Sequence, residues 1–276
     1  MTYRDEAFLG KPISAFIIDA HTHMTEDYAR GWHQMKSKTT LASVIETYDR
    51  LGVDCCVTAP HPLLDGMFEK ANDIAATAAA EWPGRIYGYI SAGPGEGLEA
   101  IKRTIAKHMK NSAFVGFKFL GGYNGDYTEA EYRYALAAAN EARCPVLCHT
   151  WDDVPALSTL RQMMEEFPNF KLVCAHLGGG GESATRRAAV MANEYEQFYL
   201  EICGSLHNTL SIADVIALVG AKKIIFGTDV LNLDARYDFG RVAFSPAADA
   251  DKELIFAGNF LRLLKDSQMG KIHKKA

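Results

Sequence analysis

The sequence contains no CxxC pair, no long apolar run, no excess of basic charge and no glycine-rich phosphate turn near its start. Each absence closes off a class of function. Without CxxC, the six cysteines at 55, 56, 144, 148, 174 and 203 lack the spacing of a thiolate zinc site. All lie within or beside Val/Ile/Leu-rich runs, so buried reduced thiols are expected rather than a disulfide framework. Lys118 and the other basic residues number 29 against 34 acidic ones, a net charge of -5. That balance favours neither a nucleic-acid backbone nor an anionic membrane surface, and a small-molecule substrate is the expected partner. No stretch approaches the ~18 apolar residues of a membrane span, so a cytoplasmic protein is expected. For assembly, a homodimer is the expectation, as the commonest soluble oligomer.

What is present is a regular alternation. Apolar runs at 16–20, 53–59, 85–91, 114–119, 145–149, 171–176, 198–203 and 223–228 have the length of buried strands. Between them, apolar residues recur at helical spacing: Leu41, Val44, Ile45, Tyr48 and Leu51; Val154, Leu157, Leu160, Met164 and Phe167; Ile212, Val215, Ile216 and Val219. Thr128-Glu-Ala-Glu131 reads as a capping box opening the fourth helix, and a final helix is predicted over 247–264. Strands recur about every 30 residues, the length of one βαβ unit, and no Pro/Ser-rich linker interrupts them. The prediction is therefore an α/β protein, a single-domain (β/α)8 TIM barrel spanning 1–276, with 265–276 a flexible basic tail. A doubly wound sheet would carry a GxGxxG turn after its first strand, where this chain has His21-Thr-His23.

In such a barrel the chemistry sits at the C-terminal ends of the strands, so the polar residues closing the apolar runs define the candidate site. Strand one ends in His21 and His23, on the same face because side chains alternate. Lys118 lies on strand four, His149 ends strand five, His176 ends strand six, Glu201 lies on strand seven, and Asp229 follows strand eight. Imidazoles and a carboxylate converging on one mouth suit a mononuclear zinc site with an open position. Any one of them, alone, would be read as a hydrogen-bonded loop residue or a helix cap. Their common placement at strand ends is what carries the metal reading.

These residues resemble the amidohydrolase superfamily, in particular its amidohydrolase-2 group, which includes aminocarboxymuconate semialdehyde decarboxylase-like and lactonase-like enzymes. The resemblance runs through Asp19-Ala-His-Thr-His23, Glu81-Trp-Pro-Gly-Arg-Ile-Tyr-Gly-Tyr89, Val115-Gly-Phe-Lys118, Pro145-Val-Leu-Cys-His149, Ala175-His-Leu-Gly-Gly179, Phe226-Gly-Thr-Asp229 and Gly258-Asn-Phe-Leu-Arg-Leu-Leu264. It implies that His21, His23, His149 and Asp229 hold the metal and that His176 stands beside it as a catalytic or second-metal residue. In binuclear members the strand-four lysine is carboxylated and bridges two ions. Here Lys118 is instead expected to pair with Glu201 or to bind an anionic substrate group, beside a single Zn2+, with Mn2+ the other candidate.

Two chemistries fit that ligand set. The first expectation is a hydrolase that activates water to cleave an amide, lactone or related bond, with Asp229 shuttling the proton and His176 stabilising the oxyanion. The alternative is a nonoxidative decarboxylase of a small aromatic or enoic carboxylic acid; a noncatalytic metal-stabilised binding protein ranks behind both. Candidate substrate contacts are His61, Trp151, Asp152, His207, Arg236 and Arg241, with the two arginines pointing to a carboxylate. The run from Gly178 to Gly181 suits either a backbone anion cradle or a tight turn. A deoxyribonuclease of this barrel type would call for a glutamate where Lys118 stands.

Overall fold

The computed structural model describes residues 1–25, 40–151, 155–204 and 211–274. The eight expected strands are all there: β1 (Ile18–Thr22), β2 (Cys55–Thr58), β3 (Ile86–Ser91), β4 (Phe114–Phe119), β5 (Pro145–Cys148), β6 (Lys171–Cys174), β7 (Phe198–Glu201) and β8 (Ile224–Ile225). They pair in parallel and in sequence order, each with the next. The ring closes between its first and last members. Ala20 N donates to Phe226 O at 3.0 Å, Asp229 N donates to His21 O at 2.8 Å, and Thr22 bridges Val230. This single (β/α)8 barrel is the fold that the alternating pattern predicts.

Helices α1 (Tyr3–Phe8), α2 (Leu41–Leu51), α3 (Phe68–Glu81), α4 (Leu98–His108), α5 (Ala130–Ala142), α6 (Leu157–Glu166), α7 (Glu182–Glu194), α8 (Ile212–Val219), α9 (Ala235–Ala243), α10 (Asp249–Glu253) and α11 (Asn259–Lys265) pack around the ring. Local rules are clearest in α2. Thr40 and Ser43 form a reciprocal capping box at its start, and Leu41, Val44, Ile45 and Tyr48 make a buried stripe. The helix ends at Gly52, whose φ of +86° and close approach to Ile13 O leave no room for a side chain. No helix among the described residues is long and apolar enough to cross a membrane.

Two local predictions are corrected. Thr128 does not cap α5: the helix starts from Glu129, and Asp126 and Glu129 instead close a turn ahead of it, Asp126 N donating to Glu129 Oε1 at 2.9 Å. The final helix expected over 247–264 runs over 249–265, with Leu254–Gly258 forming a π turn between α10 and α11. Ile255 O in that turn accepts from Phe226 N at 3.1 Å, tying the C-terminal helices to the strand that closes the ring. Residues 265–272 of the expected tail are docked on the barrel. Gln268 N and Gly270 N donate to Ala142 O (2.8 Å) and Phe114 O (2.9 Å), and Met269 and Ile272 are buried. Packing against the barrel outweighs the basic composition that suggested a solvated end.

Candidate metal centre

The site is organised from β1. Asp19 points into the wall, fully buried, and accepts from Tyr48 Oη (2.6 Å), Thr228 Oγ1 (2.5 Å), Thr228 N (3.0 Å) and His21 N (3.2 Å). Burial pushes its carboxyl up to about 7, against the opposing pull of the Thr228 and Tyr48 hydrogen bonds. Its partners belong to β1, α2 and the segment just before Asp229. Asp19 therefore pins the two ends of the ring together where the histidines and Asp229 emerge.

His21 and His23 leave β1 on one side, as strand alternation requires. His23 Nδ1 donates to Ala59 O at 2.6 Å, and its Nε2 faces Asp229 Oδ1 at 3.1 Å. His21 Nε2 lies 3.7 Å from the same oxygen, and its Nδ1 lies 2.9 Å from Glu201 Oε2. The ligand atoms of His21, His23 and Asp229 all fall within 4.8 Å of one another. Burial alone would raise the Asp229 carboxyl, but the His23 hydrogen bond and the neighbouring His21 and His176 hold it well below the usual carboxylate range. Asn232 Nδ2 also donates to Oδ1, at 2.9 Å.

His149 and His176 complete the constellation from β5 and the turn after β6. His176 Nε2 stands 3.1 Å from His149 Nδ1, and His149 Nε2 is buried with no hydrogen-bond partner among the described residues. An orphaned imidazole nitrogen beside two histidines and an ionised aspartate is the donor chemistry a divalent ion takes, so the residues fit the predicted metal. Burial, above all, keeps both rings neutral: His149 is lowered well below the ordinary histidine value and His176 to about 3. His176 occupies the left-handed region at φ +57°, followed by Leu177 at +51°. Positive φ at all four glycines from 178 to 181 fits the tight-turn reading of that run.

The other candidates divide. Lys118 is buried at the site, but its Nζ meets His21 Nε2 at 2.9 Å rather than Glu201, which serves the opposite nitrogen of the same ring. Burial lowers the Lys118 pKa, with Asp229 opposing. Trp151 faces the cavity edge-on to His176, centroids 5.6 Å apart. His61 sits behind that surface, its Nε2 2.8 Å from Asn232 Oδ1. His207 and Asp152 lie outside the described residues.

The arginine pair is a correction. Arg236 is exposed and clamps Asp234, while Arg241 donates to Ile202 O (2.7 Å) and Asp238 Oδ1 (2.8 Å), and neither lines the cavity. Both begin on a helix that points them sideways into the wall or out to solvent. Sequence reasoning also missed Cys203, whose Sγ lies 3.3 Å from His21 Nδ1 and 3.2 Å from His176 Nδ1. The available signal was its i+2 spacing from Glu201, one face of the same extended segment.

Above these groups opens a cavity of about 300 Å³. His23, His149, His176 and Asp229 form its floor, and Leu64, Leu120, Tyr123, Trp151 and Leu233 its walls. A larger concavity of about 770 Å³ beside Met67, Asp73 and Glu81 has no histidine among its described lining residues.

Among curated proteins none matches the sequence. Among solved structures the fold is shared with the 2,6-dihydroxybenzoate decarboxylase from Rhizobium, at TM-score 0.70 and 16% identity over 91% of this chain and 99% of that one. It is shared equally with a dihydroxybenzoic acid decarboxylase from Polaromonas sp. JS666 holding manganese and the inhibitor 2-nitroresorcinol, at 0.70 and 18% over 91% and 97%. The 5-carboxyvanillate decarboxylase from Sphingomonas paucimobilis follows at 0.69 and 14% over 91% and 99%. The amidohydrolase sequence profile matches residues 18–265, nearly the whole barrel, and with the strand-end histidines and Asp229 in place the chain belongs to the amidohydrolase family of enzymes.

Proposed function

We propose that this protein is a divalent-metal-dependent, nonoxidative decarboxylase of a small aromatic or enoic carboxylic acid. The observation that carries the reading is the cavity itself. Its walls of Leu64, Leu120, Tyr123, Trp151 and Leu233 suit a flat apolar ring, and no Arg or Lys is among its described lining residues. A substrate carboxylate entering there meets the anionic Asp229 and needs a cation on the floor. His21, His23, His149 and Asp229 would hold it. Bound there, one zinc or manganese ion would supply Lewis acidity, neutralising the substrate carboxylate and an adjacent oxygen. The similar structures that act on dihydroxybenzoate and carboxyvanillate support this choice over hydrolysis of an amide or lactone, for which the same ligands would serve.

The chain's own residues then have distinct tasks. Leu64, Leu120 and Leu233 exclude water, and Tyr123 and Trp151 grip the ring. The contacts from His23 and Asn232 both fall on Asp229 Oδ1, which leaves Oδ2 to take up a proton and pass it to the carbon bearing the carboxylate. Once that carbon is protonated, its bond to the carboxyl group breaks, the electron pair returns to the ring and carbon dioxide leaves. His176, neutral and wedged between His149 and Trp151, bounds the carboxyl end of the cavity.

The test is a panel of hydroxybenzoates and enoic acids, with lactones and amides alongside, offered to protein loaded with Zn2+ or Mn2+. Carbon dioxide release, with deuterium at the vacated carbon in D2O, is expected from an acid in the first set. Turnover of a lactone or amide without carbon dioxide from any acid would overturn the proposal.

A further inference from the structure

We infer that Glu201 is a positioning residue serving two site histidines at once: it fixes the tautomer of His21 and the backbone turn that presents His176. The inference rests on the ion-binding reading above. Glu201 closes β7 with no exposure, and four donors converge on its carboxylate. His21 Nδ1 (2.9 Å), Cys203 Sγ (3.0 Å) and His176 N (3.3 Å) address Oε2, and Cys203 N (2.6 Å) addresses Oε1.

A carboxylate can only accept, so His21 Nδ1 carries the ring hydrogen and its Nε2 keeps a lone pair on the side of Asp229. A carboxylate on the far nitrogen of a ligating histidine fixes ring orientation and raises ligand basicity. The second task is conformational. His176 and Leu177 both hold positive φ, a region that L residues rarely adopt, and the His176 amide is held by the same Oε2.

The opposite strand makes room for this arrangement. A Cβ on Gly227 would stand 2.4 Å from Glu201 Oε1 and 2.7 Å from His21 Cβ, so a side chain there would drive the pair apart. Stability alone does not account for Glu201. Among the described residues the ring within ion-pair distance is that of His21, neutral in this tautomer, and Lys118 acts on the carboxylate only across that ring; a buried carboxylate held in this way is less stabilising than an apolar side chain of similar size. Holding the histidines in place is what its burial achieves.

The experiment compares wild type with the isosteric Glu201→Gln and with Glu201→Asp, which keeps the charge but shortens the reach. Dissociation constants for Zn2+ and Mn2+ are measured by competition with a chromophoric chelator, and the His21 tautomer is read from imidazole 15N shifts. Circular dichroism confirms the fold. Expected for Glu201→Gln is ion binding weaker by about 10- to 100-fold and a mixture of His21 tautomers, with Glu201→Asp between it and wild type. Should Glu201→Gln fail to fold, Glu201→Asp carries the comparison alone. A folded variant with wild-type affinity and tautomer would overturn the inference. So would a thiolate-to-cobalt absorption band in the Co2+-loaded wild type that disappears in Cys203→Ala, because Cys203 and its neighbour Glu201 would then be ligands. If the wild type binds neither ion, the proposed function fails while the 15N comparison still decides the role of Glu201.

Discussion

His23 and Asp229 meet across the seam where β1 and β8 close the barrel, Nε2 standing 3.1 Å from Oδ1. They are 206 positions apart in the chain, yet backbone hydrogen bonds between their own segments set that distance: Asp229 N donates to His21 O and His23 N to Val230 O. The pair is thus fixed by barrel closure itself.

From this pairing, wild type should retain about one equivalent of zinc or manganese after dialysis, whereas His23→Ala and Asp229→Ala should each fall below a tenth of that. Metal analysis by plasma mass spectrometry checks the ratio. Circular dichroism should stay unchanged, since neither side chain belongs to the hydrophobic core.

Among the described residues Lys118 Nζ bonds one nitrogen of His21 and no carboxylate, which fits a single-ion centre. Lys118→Met should therefore keep one equivalent of metal. Loss of a second equivalent, or a carbamate carbon signal in wild type fed labelled bicarbonate, would show a bridged pair instead.

Trp151 makes an edge of the cavity rather than of the ligand set. Its replacement by alanine should raise KM for the best acid substrate by roughly 5- to 10-fold, the loss of about 1 kcal/mol of aromatic contact. Metal content should not move, and a parallel fall in both would place Trp151 in the metal centre.

Phe256, in the π turn, is fully buried between Phe226 and Phe239, with centroids at 5.2 and 6.0 Å. Phe256→Ala should cost about 3–5 kcal/mol in urea unfolding. Phe244→Ser, at a side chain 43% exposed, should stay within about 0.5 kcal/mol.

Acid should weaken the cap of α8. The Asp214 carboxyl is held below its ordinary value by hydrogen bonds from Ser211, so its contribution is full above the unfolded value and disappears as pH falls through the lower folded one. Asp214→Ala should therefore lower Tm at pH 7 and converge with wild type at a pH below the lowered folded value. An equal loss at both values would assign the effect to helix propensity.

Much of this molecule was legible along the chain, for a local reason. Strand and helix periods are properties of consecutive residues, so the eight βα units, the stripe of α2 and the outward pairing of His21 with His23 could be read directly. The rule that barrel chemistry gathers at strand ends then brought His149, His176 and Asp229 to the same mouth. Arg236 and Arg241 resisted that reasoning, because proximity to Asp229 in sequence says nothing about which way a helix turns its side chains.

By itself, then, the sequence determined the barrel and the set of residues at its mouth, since both follow from periodicity and from where each apolar run stops. Which oxygen of Asp229 faces His23, which ring nitrogen of His21 meets Glu201, and which loop residues wall the cavity were decided only in the tertiary structure. Those relationships join elements far apart in the chain, and they depend on how eight parallel strands stagger as the ring closes.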